Sequence, residues 1–204
     1  MAGVTQVAIV DDHPVTARGL ADLLGREPGL RVTGTAADLR AGRELLAGRP
    51  DVALVDLLLG DRPDGLVLLE EFATQVACVV FSSYDYAGFH ARAIDLGARG
   101  YLAKTASLSE ITAAIRLVAA GGTAFSAGAI SDAAHAPRPP SERELDVLRL
   151  VARGFSNDEI GARLGLTEKS VESHLRRLFA RYAVVSRTEL SLLAVRQGWI
   201  AAER

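Results

Sequence analysis

The sequence predicts an α/β protein in which a doubly wound, five-stranded parallel sheet is followed by a small all-α domain with a helix-turn-helix. Three observations lead to this fold class. Short apolar segments alternate with amphipathic helical segments up to about residue 120, which is typical of a parallel sheet covered by helices on both faces. A stretch rich in Gly and Pro follows at residues 121–140. Four helical patterns with clear start signals come after it.

The first half of the chain contains five strand segments and five helical segments in alternation. The strands are predicted at residues 7–10, 30–34, 52–55, 76–81 and 100–102. The helices are predicted at residues 14–24, 38–46, 65–72, 86–96 and 107–119, and the last starts with the capping-box pattern Ser107-x-x-Glu110. Ligand sites of such sheets lie beyond the carboxyl ends of the strands.

The chain changes character from residue 121 onward. Two glycines, a run of small residues and then Pro137, Pro139 and Pro140 are typical of a linker with a stiff end. We therefore predict a first domain at residues 1–122, a linker at 123–139 and a helical domain at 140–204. Its start signals are the capping boxes Ser141-x-x-Glu144 and Ser156-x-x-Glu159, the cap Thr167 and a fourth helix that begins near Arg187.

Composition and charge are ordinary for a soluble globular protein, with 49% hydrophobic and 24% charged residues. Residues 1–140 hold 12 Lys/Arg and 16 Asp/Glu, whereas residues 141–204 hold 11 and 9, so the front is acidic and the back mildly basic. We find neither a membrane-spanning run nor a signal-peptide pattern, and the single cysteine, Cys78, lies in an apolar strand. These features favour a cytoplasmic protein without a membrane partner.

Charged and polar residues follow four of the predicted strands. Asp11 and Asp12 come after the first strand, Asp56 after the third, Ser82 after the fourth and Lys104 after the fifth. Each alone could be a solvated turn or a helix cap, but together they are expected to converge on one edge of the sheet. Clustered carboxylates suit a hard cation such as Mg²⁺, and a carboxylate can act as a nucleophile toward a phosphoryl group.

The first half resembles a response-regulator receiver domain, a flavodoxin-like fold, over about residues 5–122. The matching segments are VAIVDDHPVTARGL, DVALVDLLLGDRPDGLVLLEEF, VVFSSYDY and LGARGYLAKTASLSEITAAI. The resemblance implies that a sensor histidine kinase phosphorylates the chain. It assigns Asp56 as phosphoacceptor, Asp11, Asp12 and Asp56 as ligands of Mg²⁺, Ser82 as switch hydroxyl, Lys104 as phosphate-binding lysine and Tyr101 as rotating aromatic residue.

Two large side chains depart from the most familiar receivers. Leu58 lies two residues after Asp56, and Tyr84 lies two residues after Ser82. In receivers both positions flank the side of the phosphoryl group from which water attacks. We hypothesise that these side chains hinder water and that the phosphorylated form decays slowly.

The back half contains two helical segments joined by a short turn, at residues 156–164 and 167–182. Gly165 suits the left-handed position that ends the first helix. The apolar positions recur at helical spacing, namely Ile160, Leu164, Val171, Leu175 and Leu178. This pattern predicts a helix-turn-helix whose second helix enters the major groove of DNA. Alternatively, the basic residues of the second helix could form only a solvent-exposed face that binds no DNA.

This half resembles a NarL/LuxR-type output domain over residues 137–200, through SERELDVLRLVARG, SNDEIGARLGLTEKSVESHLRRLFARY and VSRTEL. The resemblance implies a phosphorylation-controlled regulator of transcription that binds double-stranded DNA as a homodimer. It directs Glu172, Ser173 and Arg176 at base edges, and Lys169, Ser170, His174, Arg177 and Arg187 at phosphates. Glu172 either accepts from cytosine or forms only a local ion pair with Arg176.

Two other functions remain open at this point. An aspartyl nucleophile beside Mg²⁺ also serves phosphatases that turn over small substrates, although no cap insertion is visible in this chain. Alternatively, the receiver-like half could drive protein interactions while its helix-turn-helix binds no DNA. We expect a non-enzymatic regulator whose catalysis is limited to its own phosphotransfer and dephosphorylation.

Overall fold

The computed structural model describes residues 3–60 and 64–200, and its first unit, which runs to Ala134, is built on a parallel sheet. The strands are β1 (Thr5–Val10), β2 (Leu30–Ala36), β3 (Val52–Val55), β4 (Ala77–Ser82) and β5 (Gly100–Ala103). Helices α1 (Pro14–Leu24), α2 (Leu39–Ala47), α3 (Asp64–Phe72), α4 (Ala87–Asp95) and α5 (Leu108–Ala119) alternate with them.

The strand order is β2-β1-β3-β4-β5, and all four pairings are parallel. Successive residues of β1 pack on opposite faces of the sheet: Ala8 and Val10 on one side, Val7 and Ile9 on the other. Both faces are thus buried, which explains the unbroken apolar character of β3 and β4. The predicted fold class is confirmed, and β2 runs two residues beyond its predicted end because Ala36 still pairs with Val10.

The predicted linker, residues 123–139, contains a backbone pairing with β5 and a helix. The Ala124 N–H donates to the Arg99 carbonyl at 2.7 Å, and the Tyr101 N–H donates to the Ala124 carbonyl at 3.0 Å. A further helix, α6 (Ala127–Ala134), follows, and Ser126 Oγ accepts the Ala129 N–H at 3.0 Å. The outer edge of β5 offers unpaired backbone groups, and residue 124 satisfies two of them. The small residues of α6 carry too little apolar periodicity for sequence reasoning to detect this helix.

The second unit is helical and has its own core. Its helices are α7 (Glu142–Ala152), α8 (Asn157–Leu164), α9 (Glu168–Tyr182) and α10 (Arg187–Arg196). Buried side chains from all four helices form one cluster, which also contains Trp199, the only tryptophan of the chain. The Trp199 ring packs on the Tyr182 ring with a centroid distance of 4.6 Å. Among the described helices, none is both long and apolar enough to cross a membrane.

The turn between α8 and α9 has the predicted geometry. Gly165 ends α8 with φ 65° and ψ 37°, the left-handed conformation that favours glycine. Ser156 Oγ accepts the Glu159 N–H at 3.3 Å while the Glu159 carboxylate accepts the Ser156 N–H at 2.8 Å, which completes a capping box. Thr167 caps α9 by accepting the Ser170 N–H at 3.1 Å.

An ion pair between a buried carboxylate and an exposed arginine connects the first and third helices of this unit. The two terminal nitrogens of Arg181 donate to the two carboxylate oxygens of Glu144 at 3.0 and 3.1 Å. The Glu144 carboxylate also accepts the Ser141 N–H at 2.9 Å. Burial alone would raise the pKa of Glu144, but the hydrogen bonds from Ser141 and Arg181 outweigh it and hold this pKa below its ordinary value.

Arg181→Ala should destabilise the second unit by roughly 1–3 kcal/mol, because a buried carboxylate loses two charged donors. Denaturant unfolding followed by Trp199 fluorescence measures it. Since the pKa of Glu144 is lowered by folding, the loss should be complete at neutral pH and shrink as the pH falls below about 4.5. Arg149→Ala, which removes an exposed pair with Asp146, should cost less than about 1 kcal/mol. Equal costs for the two variants would contradict this account.

Candidate functional site

Four neighbouring strands end at the same edge of the sheet, and the predicted polar residues lie there. Asp11 follows β1, Asp56 follows β3 and Ser82 ends β4. Lys104 follows β5, and its N–H donates to the Ser82 carbonyl at 2.8 Å. We call the set Asp11, Asp12, Asp56, Ser82 and Lys104 the acidic pocket.

Lys104 bridges two buried carboxylates of the acidic pocket. Its Nζ lies 2.8 Å from Asp11 Oδ2 and 2.6 Å from Asp56 Oδ2. Asp11 and Asp56 are only 1% and 5% exposed. Two like charges at this depth would repel strongly, and the ammonium offsets that repulsion.

For both Asp56 and Lys104, burial shifts the pKa in one direction and the contact between them shifts it in the other. Burial raises the pKa of Asp56, and the hydrogen bond and charge of Lys104 offset this only in part. Burial also disfavours the ammonium of Lys104, but hydrogen bonds to Asp11 and Asp56 outweigh it and raise the pKa of Lys104. Lys104 therefore carries a full positive charge at neutral pH, directly beside the Asp56 carboxylate.

Asp12 and His13 form the outer side of the pocket. Asp12 Oδ2 accepts the Gly60 N–H at 2.9 Å. His13 Nδ1 lies 2.8 Å from Asp12 Oδ1 and 3.3 Å from Asp11 Oδ1. Asp11, Asp12, His13 and Asp56 each present one ligand-type atom within 4.8 Å of the others. Sequence reasoning missed His13, although its position directly after two pocket carboxylates was a usable signal.

The donor set fits a divalent cation. Asp12 Oδ1 is buried and accepts no hydrogen bond from the described residues, and Asp11 Oδ2 has the Lys104 ammonium as its partner. Buried carboxylate oxygens without hydrogen bonds are costly unless a cation satisfies them. Asp11, Asp12 and Asp56 thus supply the oxygen ligands that Mg²⁺ prefers.

Ser82 and Tyr101 meet at the backbone of Tyr84. Ser82 is fully buried, and its Oγ accepts the Tyr84 N–H at 3.3 Å. The Tyr101 hydroxyl is also buried and donates to the Tyr84 carbonyl, and burial raises the pKa of Tyr101. His90 packs edge-on against the Tyr101 ring with a centroid distance of 4.4 Å. One residue thus links the hydroxyl of the pocket to the aromatic side chain behind it.

The two large residues beside the pocket are covered to different extents. Leu58 is 7% exposed, so its side chain is buried. Tyr84 is half-buried against the core on one face of the sheet, with its ring centroid 5.8 Å from that of Phe89.

The exposed side of α9 and its N-terminal cap carry polar and basic residues around an open depression of about 300 Å³. The residues that line it are Thr167, Lys169, Ser170, Ser173, His174 and Arg177. An Arg177 terminal nitrogen lies 3.1 Å from His174 Nδ1. Partial burial and the charge of Arg177 lower the pKa of His174. A neutral ring with its proton on Nε2 can accept a hydrogen bond from Arg177 at Nδ1.

Glu172 and Arg176 form the local pair that sequence spacing allowed. Arg176 approaches Glu172 to 3.8 Å, yet the two side chains stay 73% and 62% exposed, respectively. Such a pair contributes little stability and leaves both groups accessible.

Arg187 has a different environment from the other basic residues. It donates to Asn157 Oδ1 at 2.7 Å and to the Phe155 carbonyl, and so holds the start of α10 against the start of α8. Its guanidinium is half-buried and already bonded, whereas Lys169, Arg176 and Arg177 are exposed.

Two protein-family models match the chain. Residues 7–116 match the response regulator receiver domain, and residues 140–194 match the bacterial regulatory proteins of the luxR family. Together these matches span most of the described residues and both units.

Characterised relatives align over nearly the full length. The chain is 37% identical to the transcriptional regulatory protein UhpA of Salmonella typhimurium over 190 residues, which covers 91% of this chain and 95% of UhpA. It is 33% identical to the DNA-binding transcriptional activator DevR/DosR of Mycobacterium tuberculosis, covering 94% of each chain.

Solved structures share the fold. The response regulator ChrA of a heme-sensing two-component system aligns with a TM-score of 0.57 and 26% identity, covering 98% of this chain and 100% of ChrA. The response regulator RcsB in its DNA complex aligns with a TM-score of 0.63 and 20% identity, covering 94% of this chain and 98% of RcsB. The second likeness concerns the fold alone.

Arg187→Ala should lower the stability of the second unit by roughly 1–3 kcal/mol, because Asn157 and the Phe155 carbonyl lose a charged donor. Arg177→Ala, which changes an exposed arginine, should alter stability by less than about 0.5 kcal/mol. Denaturant unfolding followed by Trp199 fluorescence compares them. If both variants unfold like the wild type, the contacts of Arg187 contribute no stability.

Proposed function

The chain belongs to the response regulators that join a receiver domain to a LuxR-type DNA-binding domain, and we propose that phosphorylation of Asp56 by a sensor histidine kinase controls its binding to operator DNA. The observation that carries the proposal is the contact of the Lys104 ammonium with Asp56 in a buried pocket. The receiver takes residues 1–122 and the DNA-binding domain 140–204, of which 201–204 lie outside the described residues. We place the protein in the cytoplasm.

The Asp56 carboxylate attacks the phosphorus of a phosphohistidine on the kinase. An oxygen–phosphorus bond to Asp56 forms as the nitrogen–phosphorus bond breaks, and the imidazole leaves with the electron pair of that bond and takes a proton from water. The Lys104 ammonium stabilises the charge on the transferred phosphoryl oxygens. Asp11, Asp12 and Asp56 would hold Mg²⁺, which supplies further positive charge for those oxygens.

Tyr84 offers a physical route from the pocket to the far face of the receiver. Ser82 Oγ accepts the Tyr84 N–H, and the Tyr84 carbonyl accepts the Tyr101 hydroxyl. If Ser82 turns to donate to a phosphoryl oxygen, its contact with Tyr84 changes, and the hydrogen bond to Tyr101 changes with it. Such a coupled change biases an equilibrium between two receiver conformations.

The DNA contacts follow from the exposed face of α9. Lys169, Ser170, His174 and Arg177 surround the depression described above and suit a phosphate of the DNA backbone. Glu172, Ser173 and Arg176 suit base edges in the major groove. Arg187 reaches a phosphate only if it gives up part of its present bonding. A single helix reads a short half-site, so useful specificity requires a homodimer.

Asp56→Asn should abolish phosphorylation by a small acyl phosphate with Mg²⁺, measured as the gain of one phosphoryl group by mass spectrometry. Genome-wide DNA capture with wild type and Asp56→Ala then shows whether target binding depends on this residue. Capture of the same targets at the same strength by both proteins would contradict phosphorylation control.

Arg176→Ala with Arg177→Ala should weaken DNA binding strongly and reduce its salt slope by about 1, because Arg176 loses a base contact and Arg177 loses a phosphate contact. Arg149→Ala, outside α9, is the matched control. Unchanged binding by the double variant would argue against a DNA-reading α9.

Leu58→Asn combined with Tyr84→Glu should shorten the life of phospho-Asp56 by about tenfold or more, since side chains that orient water or accept its proton contribute up to about 10²–10⁴-fold. Loss of the phosphoryl group over time is measured by mass spectrometry, with the exposed Leu117→Asn as control. A half-life equal to that of the wild type would show that these residues do not hinder water.

Glu172→Lys should change the operator sequence preferred in a binding-site selection if Glu172 contacts cytosine, by about 1–3 kcal/mol at that base. The same preferred site in both proteins would reduce Glu172 to a local partner of Arg176.

A further inference from the structure

His13 is the one member of the ligand-type cluster in the acidic pocket to which the proposed function gives no role. It precedes α1, and its backbone N–H donates to Asp11 Oδ1 at 2.9 Å. Pro14 occupies the first position of α1 and restricts the backbone there. The backbone of His13 is thus fixed beside the pocket, and its imidazole lies within contact distance of Asp11 and Asp12.

The contact between His13 and Asp12 is close but has no hydrogen-bond geometry. His13 Nδ1 is 2.8 Å from Asp12 Oδ1, yet this buried oxygen accepts no hydrogen bond from the described residues. When His13 is neutral with its proton on Nε2, a nitrogen and an oxygen lone pair lie 2.8 Å apart, which suits a shared cation.

Lys104 and His13 contact different oxygens of the pocket carboxylates. Lys104 contacts Asp11 Oδ2 and Asp56 Oδ2, whereas His13 faces Asp11 Oδ1 and Asp12 Oδ1. A nitrogen donor therefore lies on the side of Asp11 that Lys104 does not use.

We propose that His13 Nδ1 is a nitrogen ligand of the cation site, so that the acidic pocket prefers divalent transition cations, with Mn²⁺ as the test case, over Mg²⁺. This rests on the proposed function in one respect, namely that the pocket holds a divalent cation. Mg²⁺ prefers oxygen ligands and retains water, whereas a nitrogen ligand favours divalent first-row transition metals, of which Mn²⁺ is the weakest binder and so the most stringent test. When Nδ1 binds a cation, the ring proton lies on Nε2. Because the His13 side chain is half exposed, this N–H can donate a hydrogen bond to water.

Pulsed electron paramagnetic resonance of Mn²⁺ bound to the full-length protein tests the ligation directly. We expect nitrogen modulation typical of one imidazole in the wild type and its loss in His13→Phe, which keeps a ring without a nitrogen. His135→Phe removes an exposed imidazole from outside the pocket and should retain the signal. Mn²⁺ bound by the wild type without imidazole modulation would overturn the proposal.

Calorimetric titration with Mn²⁺ and with Mg²⁺ tests the preference. The affinity for Mn²⁺ should fall by about tenfold or more in His13→Phe, the factor by which loss of even an outer-shell partner changes the affinity for a metal. The affinity for Mg²⁺ should fall less, so that the ratio of the two affinities decreases. His13→Asn serves as a second variant if circular dichroism shows that His13→Phe is unfolded. An equal ratio in a folded variant overturns the proposal.

The two proposals fail in different ways. If the wild type binds Mg²⁺ and Asp56 is phosphorylated while Mn²⁺ shows no imidazole, only the role of His13 is lost. If neither cation binds and Asp56 is not phosphorylated, the proposed function is lost as well.

Discussion

The charge balance around Lys104 determines the arrangement of the receiver edge. Asp11 and Asp56 are carboxylates in a nearly water-free setting, and they can lie so close only because one ammonium contacts both. That ammonium comes from the end of β5, while the carboxylates come from the ends of β1 and β3. The pocket therefore exists only when three strands distant in sequence have taken their places, so correct assembly of the sheet and formation of the pocket are the same event.

In the second unit, the core and the helix caps hold α9 while its basic face stays exposed. Leu175 and Leu178 anchor α9 in the core, and Glu144 holds its C-terminal end through Arg181. Thr167 and Gly165 fix the start of α9 and the turn before it. Because these contacts lie within the unit, the exposed face of α9 is left for a partner.

Much of this could be predicted from the sequence, since strand ends and helix caps leave local signals. The five polar groups after four strands identified the acidic pocket, and Gly165 with its flanking caps identified the turn. His13 was missed because its closeness to Asp12 depends on a side-chain orientation. The bonded state of Arg187 was missed because Phe155 and Asn157 are about 30 residues away in the chain. The helix α6 was hidden by small residues between strong Gly and Pro signals.

The short pairing of Ala124 with β5 has a consequence for solubility. A free parallel edge is a template onto which another chain can add a strand. Ala124 occupies the Tyr101 N–H and the Arg99 carbonyl, and the adjacent Gly100 accepts this close approach because a Cβ there would lie 2.9 Å from the Ala124 carbonyl oxygen. The segment that leaves the receiver thus also guards this sheet edge against aggregation. Movement of Ala124 away from β5 would leave the Tyr101 N–H and the Arg99 carbonyl unpaired at the sheet edge, where another chain could pair with them.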